Sequence, residues 1–459
     1  MGKRTVTANS ITEGVIWKQM LLFFFPILLG TFFQQLYNTT DAIIVGNFVG
    51  KEALAAVGGT SGTLINLLIG FFVGLAGGAT VIIAQYFGAR DHENVHLSVH
   101  TALALAITGG AVLTFTGIAL SGWALRCMGT PEDVYPMSRT YMMIYFAGTI
   151  PNLIYNIGSG ILRAVGDSRR PLYFLIAACL VNIVLDLIFV AWLGMGVAGV
   201  GLATVLSQTV SAVLVLIVLL RTRESYRLFP KEIRFHKKTL GRIIRIGLPA
   251  GIQSTMYSVS NVLIQASINS FGTDVMAAWT AYGKLDGLLW MTLNAFGITV
   301  TTFSGQNFGA GLYDRMRKSV RSGMIMAVAA SLGITVLFLL FGNWGIRLFV
   351  NDESTLAFGM RLLYVMVPGY VTYVPIEILS GACRSAGDSL KPMLITAIGI
   401  CGLRVIWLLA VVPFWHELEV LAFSYPLTWV ITSIFFIIYY LKGNWLKRNL
   451  PTVQPEPEP

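Results

Sequence analysis

The decapeptide LRAVGDSRRP at 162–171 returns as CRSAGDSLKP at 383–392, 221 residues later. Two more segments recur at the same interval: QYFGAR at 85–90 as QNFGAG at 306–311, and Ser98-Val99 as Ser319-Val320. Pro26 in FFFPILLG matches Pro249 in RIGLPAGI at an interval of 223, which also carries Asn38 onto Asn261. Segments that recur in one order at one interval mark a duplicated unit.

The composition says what kind of unit it is. Of 459 residues, 55% are hydrophobic and 12% charged, with a mean hydropathy of +0.71, whereas soluble domains carry about 25% charged residues. A bilayer core of about 30 Å takes about 20 apolar residues per helix. By that measure the spans run over 17–40, 57–84, 98–123, 138–161, 171–192 and 197–220, then 247–271, 276–304, 322–342, 360–382, 393–413 and 420–441. Backbone polar groups in lipid must be satisfied within the segment, and the ten-residue alternation of a membrane barrel is missing, so the spans read as helices. The expected fold is an all-α membrane protein of twelve transmembrane helices in two pseudo-symmetric six-helix lobes. Six is even, so both lobes share one orientation and are related by an axis along the membrane normal, and they can rock against each other around a central cavity. The steps Gly70-x-x-x-Gly74 and Gly74-x-x-x-Gly78 favour close helix packing.

The net charge of +10 is distributed as a membrane protein distributes it. With a cation in the first two residues of a span counted with the adjoining loop, 25 of the 32 Lys and Arg fall on one side, 5 on the other, and Lys284 and Arg404 deeper within spans. The positive-inside rule then puts both termini in the cytoplasm of a multi-pass cell-membrane protein, and assigns the basic charge to insertion rather than to nucleic acid. The N-lobe is expected over 1–220, a basic cytoplasmic linker over 221–246, the C-lobe over 247–441, and a disordered cytoplasmic tail over 442–459, ending in PTVQPEPEP.

No phosphate-binding loop follows any Gly-Lys pair. The four cysteines, Cys127, Cys179, Cys383 and Cys401, are far apart, and the five histidines read as forming no ligand pair. No cofactor and no enzymatic chemistry are expected, and an ion gradient is the natural energy source. Ionisable residues at membrane depth are costly and default to function. Asp41 follows Gln34, Tyr37 and Asn38 in span 1; Asp186 follows Asn182 by one helical turn in span 5; Thr204 adds a hydroxyl from span 6. Two carboxylates with amide and hydroxyl oxygens suit a proton or a small monovalent cation. The plain alternatives are an interfacial Asp41 capping a helix end and an Asp186 reaching for the interface. The second half differs: Asp41 maps to Ile264 and Asp186 near Trp407, while Asn156 maps to Glu377. Glu377 and Arg404 are expected to face each other as a C-lobe polar pair, either structural or substrate-contacting. Lys284 and Asp286 read as polar lining or local structure.

The proline and Gln34-x-x-Tyr37-x-x-x-Asp41 of span 1, the QYFGA/QNFGA turns and the two GDS decapeptides together resemble the multidrug and toxic compound extrusion (MATE) family, over roughly 15–441. The resemblance implies a monomeric antiporter that expels amphipathic, often cationic small organic molecules in exchange for H⁺ or Na⁺. It assigns ion coupling to Asp41, Asn182, Asp186 and, less directly, Thr204, with Gln34, Tyr37, Asn38 and Asn156 lining the cavity. The NorM-like branch has a helix-seven glutamate; here that helix offers Gln253, Asn261 and Gln265, so the chain looks closer to the DinF-like branch. The alternative within the superfamily is a lipid-linked saccharide flippase, which is expected to line its cavity with several cations. A major-facilitator carrier is expected to show a basic Gly-x-x-x-Asp loop motif that the sequence after span 2 does not fit, and a channel a carbonyl filter or charged ring.

Overall fold

In a computed structural model that describes residues 11–350 and 352–446, all regular structure is helical, and no strand occurs among the described residues. Twelve rods follow in order: α1 (Ile16–Phe48), α2 (Lys51–Gly88), α3 (His92–Cys127), α4 (Tyr135–Ala147 continued by Thr149–Ala164), α5 (Arg169–Trp192) and α6 (Gly196–Arg221) make the N-lobe. The C-lobe follows with α7 (Lys237–Asn269), α8 (Thr273–Gly309), α9 (Tyr313–Arg347), α10 (Glu353–Ser385), α11 (Leu390–Ala410) and α12 (Leu418–Lys442). Nine rods are long and apolar enough to cross a bilayer on length and composition alone. The divided α4 and the more polar α7 and α8 complete the set.

Several helices outrun the spans expected for them. α7 begins at Lys237, inside the segment expected as linker, and α9 at Tyr313 rather than 322. Hydropathy measures the part of a helix that sits in lipid, and charged turns extend it into water without an apolar signal. The start of the expected tail is also ordered: Trp445 is buried and stacks on Tyr440 at 5.0 Å. PTVQPEPEP at 451–459 lies outside the described residues.

Each lobe's first helix begins on the other lobe and returns to its own. Before Pro26, Met20, Phe23 and Phe24 of α1 pack into the C-lobe core, with Phe24 stacked on Phe296 at 4.0 Å. Beyond it, Ile44 and Val45 pack with Tyr141, Phe146 and Val200 of the N-lobe. α7 mirrors this about Pro249: Ile243 and Ile246 lie in the N-lobe core, Ile264 and Ile268 in the C-lobe core. A proline within a helix removes one backbone bond and bends the rod, which makes the crossing feasible.

The repeated motifs meet each other at the end of the bundle that carries the basic loops. Gln85 Nε2 donates to the Ser385 carbonyl at 2.7 Å, and Gln306 Nε2 donates to the Ala164 carbonyl at 2.6 Å. Those four positions are two pairs related by the same interval of 221, so each lobe's glutamine binds the end of the other lobe's fourth helix. The backbones touch beside them. A Cβ on Gly88 would lie 2.0 Å from the Gln306 carbonyl oxygen, and one on Gly309 would lie 1.8 Å from that of Gln85. Further along, Gly74 and Gly78 of α2 meet Gly251 and Ile243 of α7 in the same backbone-to-backbone manner. The small-residue stripe therefore joins lobes rather than packing one of them. At the opposite end, no buried apolar cluster among the described residues joins the two lobes.

The segment between lobes is clasped to α3. His96 Nε2 lies 2.6 Å from Glu232 Oε2, the Phe229 amide donates to His100 Nε2 at 3.0 Å, and Thr101 Oγ1 meets His236 Nδ1 at 3.1 Å. His96 beside it holds the Glu232 carboxyl below its usual range. The expectation that no histidines form a ligand pair is thus corrected: His96, His100 and Glu232 offer atoms within 4.8 Å of one another. One helical turn separates the two histidines, a spacing that was legible. Both His100 nitrogens are already committed, since Nε2 accepts from Phe229 and Nδ1 faces the His96 carbonyl at 2.7 Å. The cluster is a fastening for the linker.

Gly309→Ala should force the crossing backbones apart at a cost of about 1–3 kcal/mol, the usual scale of overpacking. Cys383, buried beside Phe308 and Trp445, reports it. In a Cys127→Ser background, maleimide labelling of Cys383 should rise and the melting temperature fall. Unchanged labelling and melting would show that the two motifs do not meet.

Candidate functional site

Asp41 lies well inside α1, which continues to Phe48, so it does not cap a frayed end. Its carboxyl group points into the N-lobe and is 5% exposed, while Asn182 and Asp186 of α5 are fully buried at 0%. Thr204 Oγ1 of α6 donates to Asp41 Oδ2 at 3.3 Å, sharing its proton with the Val200 carbonyl at 3.0 Å. Asn182 and Asp186 flank Asp41 closely enough to bear on its charge. The sequence-predicted coupling residues therefore converge on one point from three helices.

What distinguishes this cluster is how little of it is satisfied. Asp41 Oδ1, both carboxylate oxygens of Asp186 and both polar atoms of the Asn182 amide are buried facing one another, and none makes a hydrogen bond of ordinary geometry between ionised carboxylates and the amide. None of the ion pairs among the described residues involves either carboxylate. Buried polar atoms are normally paired, and unpaired buried charge is among the costliest arrangements a fold can hold. A proton shared by the carboxylates, or a small hard cation bound by oxygen atoms, supplies what they lack. The donor set fits either: carboxylate, amide and hydroxyl oxygens, with no sulfur or imidazole.

Tyrosines close the site. Tyr37, one turn before Asp41, is buried with it, and Tyr141 and Tyr145 of α4 stand near enough to feel the Asp41 charge. Gln208 Nε2 reaches the Tyr145 hydroxyl at 3.4 Å. Sequence reasoning missed Tyr141, Tyr145 and Gln208. Helical spacing could have found them, since Tyr141 and Tyr145 are four apart and Gln208 follows Thr204 by four.

Of the other expected lining residues, Gln34 meets the Tyr37 hydroxyl at the edge of the site, while Asn38 and Asn156 lie away from it. Gln34 and Asn156 share a separate small cavity of about 60 Å³ with Pro26, Tyr155, Arg163 and the C-lobe residue Ile298. Two helical turns, about 10 Å, separate Gln34 from Asp41. The Asn156 amide donates to the Asn152 carbonyl at 2.9 Å. Asn38 is exposed on α1.

The expected Glu377–Arg404 pair is corrected as well: no ion pair among the described residues joins them. Glu377 of α10 lies against α8 at Gly297, where a Cβ would come 2.2 Å from its Oε1. Arg404 of α11 is 3% exposed, and its guanidinium carbon sits 3.9 Å above the centre of the Tyr425 ring. An aromatic face takes the place of the carboxylate. Asp286 is a half-buried, hydrogen-bonded acid, accepting from the Tyr370 hydroxyl and the Trp290 indole, each at 2.6 Å.

A model of the MatE family matches the chain twice, over residues 26–188 and 249–408, one match per lobe. YoeA of Bacillus subtilis (strain 168), named "Probable multidrug resistance protein YoeA", is 30% identical over 445 residues, covering 95% of each chain. Among solved structures, a MOP superfamily transporter from Pyrococcus furiosus superposes with a TM-score of 0.89 at 23% identity, covering 97% of this chain and 100% of that one. An outward-facing multidrug resistance MATE transporter gives 0.88 at 23% identity, covering 98% and 100%; both likenesses show the fold. With its family match falling once on each six-helix lobe, the chain belongs to the MatE family of multi-pass membrane transporters.

Proposed function

We propose that this protein is a secondary active efflux transporter that exports amphipathic, often cationic organic compounds in exchange for H⁺ or Na⁺. The observation that carries the reading is the Asp41–Asn182–Asp186 cluster, buried and unneutralised in a lobe that can rock against its partner. A carboxylate pair without a counter-ion is a site whose occupancy must change the energy of the lobe around it. Entry of a proton or Na⁺ removes the repulsion between Asp41 and Asp186 and lets α1 and α5 draw together. Asp41 and Asp186 would hold the ion, with Thr204 and the Asn182 amide oxygen completing its shell. The charge asymmetry supports the orientation, with the basic end, and with it both termini, in the cytoplasm. A helix seven without an acid, offering only Gln253, Asn261 and Gln265, supports a DinF-like arrangement with coupling in the first lobe. A saccharide flippase would call for cations at this point, and the cluster has two acids and no paired Lys or Arg.

Asp41→Asn and Asp186→Asn should each reduce drug efflux in a hypersensitive host to the vector background, with unchanged protein in the membrane. Efflux that persists in both variants would remove the N-lobe from the coupling mechanism. Thr204→Val, which takes away a single oxygen, should leave transport in place but weaken its dependence on the coupling ion by about tenfold, the scale of one hydrogen bond to a charged group. In proteoliposomes, imposed Na⁺ and pH gradients applied separately identify that ion. Asp41→Asn should abolish the response to whichever gradient drives the parent protein.

A further inference from the structure

The C-lobe holds a second, larger cavity of about 480 Å³, within the range of small-molecule sites. It lies between α7, α8, α10, α11 and α12, and its wall is aromatic. Trp290 meets Tyr373 edge to face at 4.7 Å, and Trp429 packs edge to face with Trp290, Tyr373 and Tyr425 at 5.7–6.0 Å. Rings that brace one another in this way form a stiff surface suited to a flat ligand. Two charges line the same space, Asp286 and Arg404, and they stand differently. Asp286 is spoken for by the Tyr370 hydroxyl, the Trp290 indole and, at 3.5 Å, the Tyr282 hydroxyl. Arg404 is not. It stacks on Tyr425 and reaches Thr428 Oγ1 at 3.4 Å, but its Nε is buried without a partner and no carboxylate among the described residues pairs with it.

A guanidinium buried to 97% normally finds a carboxylate or phosphate, because its fork of donors matches their oxygens. Here the chain provides the aromatic wall and the cation, and leaves the anion out. We propose that this cavity is a substrate subsite for flat aromatic compounds bearing a carboxylate, with Arg404 as the anchor for the carboxylate and Trp290, braced by Tyr373 and Trp429, as the platform for the ring. The two lobes then divide the work: the N-lobe takes the coupling cation and the C-lobe takes the organic anion or the acidic end of a zwitterion. The proposal extends the efflux reading and rests on it only for the direction of travel, since binding at this cavity needs no gradient.

The test is equilibrium binding to the full chain in lipid nanodiscs, read by intrinsic tryptophan emission. Three matched probes differ only in charge: 2-naphthoate, its neutral amide, and a naphthyl trimethylammonium. The carboxylate should bind saturably and at least about tenfold more tightly than the amide, in line with a charge-assisted hydrogen bond, and more tightly than the cation. Arg404→Gln should bring naphthoate down to the affinity of the amide. That variant removes an unpaired buried charge, so it should melt no lower than the parent. Gly283→Trp gives an independent check: Gly283 lines the cavity, a Cβ there meets nothing within 4 Å, and an indole placed there should block all three probes. Naphthoate binding is read on the parent chain with no gradient imposed, whereas coupling is read by gradient-driven transport, so a failure of coupling and a failure of this site are separable. Equal binding of amide and carboxylate, tighter binding of the cation, or naphthoate binding untouched by both Arg404→Gln and Gly283→Trp would each overturn the proposal.

Discussion

The rest of the structure depends on the closure at the basic end, where two glutamines each bind the carbonyl at the end of the opposite lobe's fourth helix. A helix end leaves carbonyls without intrahelical donors, and in a membrane protein those acceptors are expensive to abandon. Gln85 and Gln306 satisfy one each across the lobe boundary, so separating the lobes at this end exposes both acceptors and both donors together. The glycines beside them bring the backbones into direct contact, where there is no side chain to cushion a partial displacement. Such a junction is either made or broken, with little between. That gives two rocking lobes discrete states instead of a continuum.

Duplication built a symmetric frame, and the frame carries unlike contents. Closure residues keep the register: Gln85 with Gln306, Gly88 with Gly309, Ala164 with Ser385. In the membrane interior the residue types diverge. The N-lobe buries two carboxylates that no Lys or Arg among the described residues pairs with, and the C-lobe buries a guanidinium that no carboxylate among them pairs with. For the proposed exchange of a cation for an organic compound, that division would keep either ligand from competing for the other's site.

Much of this was legible in the sequence, and the boundary of legibility is physical. Twelve helices followed from hydropathy and the repeat because lipid leaves the backbone no alternative. Asp41, Asn182, Asp186 and Thr204 were legible because charge is rare at membrane depth and helical periodicity fixes which neighbours share a face. The partner of Gly74 and Gly78 was not legible: a small-residue stripe announces close packing without saying whether the other rod belongs to the same lobe. Tyr141 and Tyr145 were hidden because aromatic residues are common in any span and most face lipid or other helices. The pairing of Glu377 with Arg404 failed for a related reason. Opposite charges invite pairing on paper, but Arg404 met the face of Tyr425 first, and a ring face carries no charge for a sequence reader to match.

The assignment of counterparts between lobes also has to account for a change of helical winding. α5 carries a π-helical turn over Leu187–Trp192, after Asn182 and Asp186, whereas α11 carries one over Ala397–Gly402, before Arg404. A π-turn inserts one residue and rotates everything beyond it by about 100°. Counting by the interval of 221 pairs Asn182 with Leu403 and Asp186 with Trp407. One inserted residue moves those pairings to Arg404 and Leu408. Burial agrees with the shift: Arg404 is the buried residue of the turn over Leu403–Ala410, and Leu403 is only partly so. Arg404 is therefore the C-lobe's counterpart of Asn182, occupying the same buried face of the fifth helix of its lobe. The two lobes present their polar groups from equivalent places, and a single misplaced turn of helix is what concealed it.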